Sequence, residues 1–361
     1  MFAGINYPWS VIDGKPNYGC DFGRNVWGSH AGVTTHRDEV RRDFEQMAAM
    51  GVTIARWFVW ADGRGGVEWD ASGQLVGPAP AFFADMDAAL EIAIETRVDL
   101  CLVLFDYSWM LHTDVRATDG TRLFVTQPQL LATASGLETI IERLVDPMLA
   151  RYGDGGARAD LGRAIQMIDV INEPDWVTRE LDPTRERDAT TGAPRLQRPF
   201  SLDELRRFVR AVADRVHQQW GTRTLVTVGG GRVKHAREWD HPAYGIDVIQ
   251  VHSYPDVRYP ERDERVLDRP ASVLGVSKPV LIGEHPANGA RLCPADHQPP
   301  NASLDDYIQL ARRGGYLGAW PWSFKGVDAF GAVAPDELRS AHQCRKTDGD
   351  REAGGGIGHG H

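Results

Sequence analysis

The sequence predicts an α/β fold, a single (β/α)8 barrel, and three observations carry that reading. Eight apolar runs with β-branched and aromatic content recur along the 361 residues. Most stretches between them have apolar residues at the spacing of one helix face. Several runs, among them TIARWFVW, LCLVLF, MIDVI and PVLIG, read as nearly continuous apolar stretches, as strands covered on both faces do. At roughly 150 residues per domain the length alone suggests two or three domains, but one α/β barrel commonly occupies such a chain.

The predicted strands run Phe2 to Tyr7, Val52 to Trp60, Asp99 to Phe105, Gln166 to Ile171, Thr224 to Val228, Asp247 to His252, Pro279 to Gly283 and Tyr316 to Trp322. After the first, Thr35-His-Arg-Asp38 reads as a capping box opening a helix with Val40, Phe44, Met47 and Ala48 inward. Phe82, Met86, Leu90 and Ile94 form a second stripe; Leu137, Ile140, Leu144 and Met148 form a third, which Pro147 is expected to kink. Ser201-Leu-Asp-Glu204 and Ser303-Leu-Asp-Asp306 open two further helices. The fifth and sixth connections carry weaker helical patterns. Asp175 to Phe200 has little periodicity and reads as a loop after the fourth strand. The barrel is expected over 1–344, with 345–361 a disordered tail.

With 40 basic against 50 acidic residues the net charge is −10, which argues against nucleic acid or an anionic membrane as partner. Cys20, Cys101, Cys293 and Cys344 show no metal-ligand or paired spacing and read as separate thiols. The N-terminus lacks the basic region and apolar run of a signal peptide, so the cytoplasm is expected, or secretion if a leader has been removed. The sequence leaves the oligomeric state open.

In such a barrel the reacting groups stand on loops at the carboxyl ends of the strands. The fourth run ends in Asn172-Glu173-Pro174 and the seventh in Gly-Glu284-His285-Pro286. One glutamate there could be a salt-bridged residue locking a loop. Two, on strands facing across the mouth, fit a retaining glycosidase, whose carboxyl groups stand ~5 to 5.5 Å apart as nucleophile and acid/base. Arg56 interrupts the apolar second run and needs an acidic partner once buried. His252 and Tyr254 follow the sixth strand as His-Ser-Tyr. Trp320 and Trp322 share one side of the eighth strand by the period of two. Trp9, Trp60, Trp109 and Trp176 lie near strand ends, as core or as substrate contacts; Trp27, Trp69, Trp220 and Trp239 read as packing.

Asn172-Glu173-Pro174 after strand four, Glu284 after strand seven and a tryptophan after strand eight together resemble clan A of the glycoside hydrolases, most closely its family 5. The resemblance spans about Phe2 to Phe330. It implies Glu173 as acid/base and Glu284 as nucleophile, with Asn172 donating to the sugar 2-hydroxyl. It further implies that Arg56 holds the nucleophile, that His252 and Tyr254 support substrate and nucleophile, and that Trp322 is a sugar platform. Trp320, Trp109, Trp176 and Asp106 complete the expected carbohydrate-binding residues. The family's usual histidine after strand three is missing; Asp106 or His112 is the candidate replacement, and the loop after strand four is long. His285 could bond the nucleophile or cap its loop. The expected activity is retaining hydrolysis of gluco- or manno-configured β-glycosides, without cofactor or metal. Two alternatives remain open at this point. One is a metallohydrolase built on His112, His252, His285, Asp106 and Glu173; the other is a catalytically silent sugar-binding barrel.

Overall fold

The computed structural model describes residues 2–24, 30–110, 113–116, 122–125, 127–181, 200–254, 269–287, 303–328 and 330–342, with the backbone alone at 113–116, 122–125 and 127–129. Trp27, His112, Cys293, Cys344, the expected tail 345–361 and most of the expected loop after the fourth strand lie outside the described residues.

All eight apolar runs are strands of one parallel sheet: β1 (Gly4–Asn6), β2 (Ile54–Phe58), β3 (Asp99–Asp106), β4 (Ile165–Asn172), β5 (Leu225–Gly230), β6 (Val248–His252), β7 (Val280–Pro286) and β8 (Ala319–Trp322). They neighbour one another in sequence order. β8 returns to β1: the Phe2 amide donates to the Leu317 carbonyl at 2.6 Å and the Phe324 amide to the Asn6 carbonyl at 2.9 Å. The Asn6 amide group staples the same seam, donating to the carbonyls of Gly283, Trp320 and Pro321 at 2.8, 3.2 and 3.3 Å. Every residue of β2, β6, β7 and β8 is buried, which explains why these runs show no polar alternation.

The barrel interior is layered. At the amino ends of the strands Ile54, Cys101, Met167, Val248, Leu281 and Trp320 form an apolar plug. A polar layer with Asn6, Arg56, Asp169 and Gln250 lies above it. Phe58, Ala61, Val103 and Trp322 line the mouth, with Trp9 and Tyr254 packed against them. The expectation that Trp320 contacts substrate is therefore corrected. It points inward like Trp322 but sits two residues deeper, fully buried, its indole occupying the space that Gly4 leaves by having no side chain.

Helices α1 (Arg37–Ala49), α2 (Phe82–Thr96), α3 (Ala134–Ile140), α4 (Asp146–Tyr152), α5 (Leu202–Trp220) and α6 (Leu304–Arg313) accompany the strands. The capping boxes at Ser201 and Ser303 form as their spacing predicts. The one at Thr35 does not: its hydroxyl donates to the Gly32 carbonyl at 2.7 Å in a preceding 3-10 turn, and His36 precedes α1 without a side-chain cap. A π-helical turn, Ile141–Val145, joins α3 to α4 and delivers Pro147 to the first turn of α4, where its missing N–H costs least. The described parts of the fifth and sixth connections contain only 3-10 turns, Val233–Trp239, Pro242–Tyr244 and Ala271–Leu274. Among the described residues no helix is long and apolar enough to cross a membrane.

Candidate active site

The polar layer centres on Arg56, which is fully buried. Its Nε and Nη2 donate to Asp169 Oδ2 at 3.0 and 2.8 Å, and Nη1 donates to Asn6 Oδ1 at 3.0 Å and Glu284 Oε1 at 2.6 Å. Nη2 also donates to Asn172 Oδ1 at 2.6 Å. Asp169 is completed by Gln250 Nε2 at 2.7 Å and the Gly229 amide at 2.9 Å. A buried guanidinium between two carboxylates keeps its charge, so its pKa rises despite the cost of burial, with Asp169 ahead of Glu284 among the groups that raise it.

Glu284 stands above this layer. Tyr254 donates its hydroxyl to Glu284 Oε2 at 2.9 Å, and His252 Nδ1 is 3.5 Å from the same oxygen. Burial pushes the Glu284 carboxyl above its ordinary value, while Arg56 and the Tyr254 hydroxyl pull it back. Two local irregularities aim the glutamates. On β7, Leu281 and Gly283 face the barrel interior, and strict alternation would send Glu284 outward. The pairing with β6 and β8 shifts register beside Glu284, which turns inward, and His285 turns outward. On β4 the register shifts between Asp169 and Asn172, and Asn172 joins Arg56.

Glu173 follows in the left-handed region, φ 47°, a conformation that costs a non-glycine residue about 1–2 kcal/mol. Its amide donates to the Gly229 carbonyl at 2.6 Å. Two residues on, the buried Asp175 accepts from the Gly231 amide at 2.6 Å and lies 2.6 Å from His235 Nδ1, so the turn is tied to the end of β5. The Glu173 side chain takes the Trp176 indole N–H on Oε2 at 2.7 Å and meets His252 Nδ1 through Oε1 at 3.0 Å. Burial lowers the His252 pKa to about 4, so the ring is neutral near pH 7. One oxygen of each glutamate and a ring nitrogen of His252 lie within 4.8 Å of one another.

Asn172 Nδ2 donates to Asp106 Oδ2 at 2.7 Å, and burial pushes Asp106 up to about 6. Asp106 thus stands behind Asn172, one step from the glutamates. Trp322 lies at the mouth with its Nε1 donating to Asp328 Oδ2 at 2.7 Å. Trp176 is half-buried, with the Arg232 guanidinium 4.6 Å over its ring. Trp109 is not brought to the mouth: it is fully buried against Phe105 and Trp69, so the expected sugar contact is corrected to packing. His285 stacks on Tyr307 of α6, with centroids 4.3 Å apart, and turns away from Glu284. The five-residue metal constellation is likewise not assembled, because His285 faces away and Asp106 bonds Asn172 and Ser108. The smaller set Glu173, His252 and Glu284 is the one group among the described residues with metal-ligand spacing.

Sequence reasoning missed Asn6, Asp169, Gln250 and the Asp175–His235 pair. Asp169 and Gln250 had a signal of the kind that marked Arg56, a polar residue inside an apolar run. Asn6 and His235 had none.

No family model and no curated protein matches the sequence. Solved structures do. A β-mannanase from the blue mussel Mytilus edulis superposes with a TM-score of 0.68 at 18% identity, over 96% of this chain and 92% of that one. An endo-1,4-β-mannanase from Eisenia fetida gives 0.67 at 20% identity, over 96% and 91%. An exo-β-1,4-mannosidase from an Opitutaceae bacterium gives 0.56 at 16% identity, over 96% of this chain and 59% of that one. At these identities the likeness is one of fold, the (β/α)8 barrel.

Proposed function

We propose that the chain is a retaining β-glycoside hydrolase acting on manno-configured substrates, with Glu284 as nucleophile and Glu173 as acid/base. The observation that carries the proposal is the carboxyl pair within 4.8 Å, each member in a different environment. Glu284 receives a guanidinium and a phenol, both of which favour a carboxylate able to attack. Glu173 meets a neutral imidazole and an indole. An imidazolium there would hold Glu173 ionised and deprive the leaving group of its proton. The manno preference is supported by the activities named for the superposed structures, β-mannanases and a β-mannosidase.

In the first step a Glu284 oxygen bonds to the anomeric carbon as the glycosidic C–O bond breaks, and the Glu173 proton passes to the departing oxygen. In the second, the Glu173 carboxylate takes a proton from water, the water oxygen bonds to the anomeric carbon, and Glu284 leaves. Two inversions give net retention. Asn172 is held between Arg56 and Asp106, which supports a role as donor to the 2-hydroxyl as the oxocarbenium-like charge develops. No step calls on a cofactor.

The test is hydrolysis of aryl β-mannosides, with intact-protein mass after a 2-fluoro mannoside. A stable adduct on Glu284 is expected. Glu284→Ala should lose all turnover, and Glu173→Ala should spare substrates whose leaving group needs no proton. Equal loss on good and poor leaving groups would undo the acid/base assignment. A metal-dependent hydrolase is the second reading, since Glu173, His252 and Glu284 have ligand spacing. Arg56 competes with any cation for Glu284. Full activity in a chelator favours the first reading; loss restored by added zinc favours the second.

A further inference from the structure

The turn that carries Glu173 is one the chain would not adopt from local preference. Glu173 has φ 47° and ψ 46°, in the left-handed region. Pro174 follows, and a residue before proline is driven towards extended backbone by the clash with the pyrrolidine ring. Both preferences act to unwind the turn and displace the carboxyl, so contacts from outside the turn must hold it.

Asp175 supplies such a contact. Its side chain is fully buried, one oxygen accepting from the Gly231 amide at 2.6 Å and the other lying 2.6 Å from His235 Nδ1. A carboxylate is costly to bury, and these two bonds are what offset the cost. Gly231 and His235 belong to the segment that follows β5, with His235 seated in the 3-10 turn Val233–Trp239. The same segment packs on the glutamate itself: a Cβ at Gly231 would stand 3.3 Å from Glu173 Cβ and 3.4 Å from its Cγ. By contrast, the indole that bonds Glu173 Oε2 belongs to Trp176, inside the turn, and moves with it.

We infer that Asp175 and His235 are positioning residues for proton transfer, fixing the Glu173 turn against the end of β5 so that its carboxyl reaches the glycosidic oxygen. The inference rests on the glycosidase reading above. It concerns one half of the chemistry. A general acid works at about 2.6–3.2 Å from the atom it protonates, and a misplacement of about 1 Å costs on the order of 10²-fold. Glu284 is held separately, by Arg56 and Tyr254, so attack on the anomeric carbon does not depend on the Asp175 tie.

The experiment measures kcat/KM of wild type, Asp175→Ala, Asp175→Asn, His235→Ala and Glu173→Ala on β-1,4-mannotetraose and on 2,4-dinitrophenyl β-mannoside. Dinitrophenolate departs without a proton and kcat/KM reports the first step, so the ratio of the two values isolates protonation. Asp175→Ala should lower the tetraose-to-aryl ratio about tenfold, and His235→Ala about fivefold. His235→Ala removes a partly exposed ring and carries the test alone where Asp175→Ala does not fold. Asp175→Asn, whose carbonyl can accept from Gly231 while its N–H donates to His235, should stay within about twofold of wild type. Alanine variants that slow both substrates alike, leaving the ratio within about twofold, would make the pair structural and overturn the inference. A fall in Asp175→Asn as deep as in Asp175→Ala would overturn it too. If Glu173→Ala lowers the ratio and the alanine variants do not, only the positioning role is lost. If Glu173→Ala leaves the ratio unchanged, or wild type turns over neither substrate, the acid/base reading falls with it.

Discussion

Arg56 makes five hydrogen bonds to four side chains and is the only cation in the polar layer among the described residues. Its planar fork can reach Asp169, Asn6, Glu284 and Asn172 at once, which the point charge of a lysine cannot. The sequence marked it plainly, because a cation inside an apolar run demands an acidic partner. It did not show that there would be two. Tyr254 is the more informative residue to alter. Its hydroxyl donates to Glu284 and lowers that carboxyl's pKa, so Tyr254→Phe should raise it. The acidic limb of the kcat/KM profile, set by protonation of Glu284 if it is the nucleophile as proposed, should then move to higher pH, with kcat reduced roughly 10²-fold. A limb that stays in place would mean that Tyr254 does not act through Glu284.

At the scale of elements, the strands were legible and their irregularities were not. Continuous burial produced apolar runs that could be counted, and the Ser201 and Ser303 boxes announced their helices. The turn inward of Glu284 depends on a register shift beside it, and no pattern in Leu-Ile-Gly-Glu-His-Pro distinguishes Glu284 inward from His285 inward. Backbone pairing with β6 and β8 settles it. The Thr35 box failed because its hydroxyl found a carbonyl in the preceding turn, a local competition that spacing does not reveal. By contrast Ser201 and Glu204 satisfy each other's backbone amides at the start of α5. Ser201→Ala should therefore cost about 1 kcal/mol of unfolding free energy in a urea titration. A midpoint equal to wild type would show that the box adds nothing to the fold.

At the scale of the whole molecule, the barrel closes where β8 meets β1, and the closure depends on Gly4. A Cβ there would stand 2.2 Å from the Trp320 indole nitrogen, inside a plug with no space to give. Gly4→Ala should destabilise by about 1–3 kcal/mol or more through overpacking, seen as a lower Tm. An unchanged Tm would mean that the indole can move and that the plug is looser than its burial suggests. The same closure brings Asn6, near the start of the chain, to the carbonyls of Gly283, Trp320 and Pro321.

The amino-acid order by itself determined the strand count, the parallel alternation and the placing of Glu173 and Glu284 at strand ends. Each of these follows from local burial and from the chain direction shared by every strand. Depth and aim were decided only by the tertiary structure. Trp320 and Trp322 have the same period and the same side, yet one fills the barrel floor and the other its mouth, because height along the axis depends on how neighbouring strands are staggered. Asp169 and Gln250 reach Arg56 for the same reason: charges buried in a closed barrel meet partners from other strands, and sequence distance carries no record of that meeting.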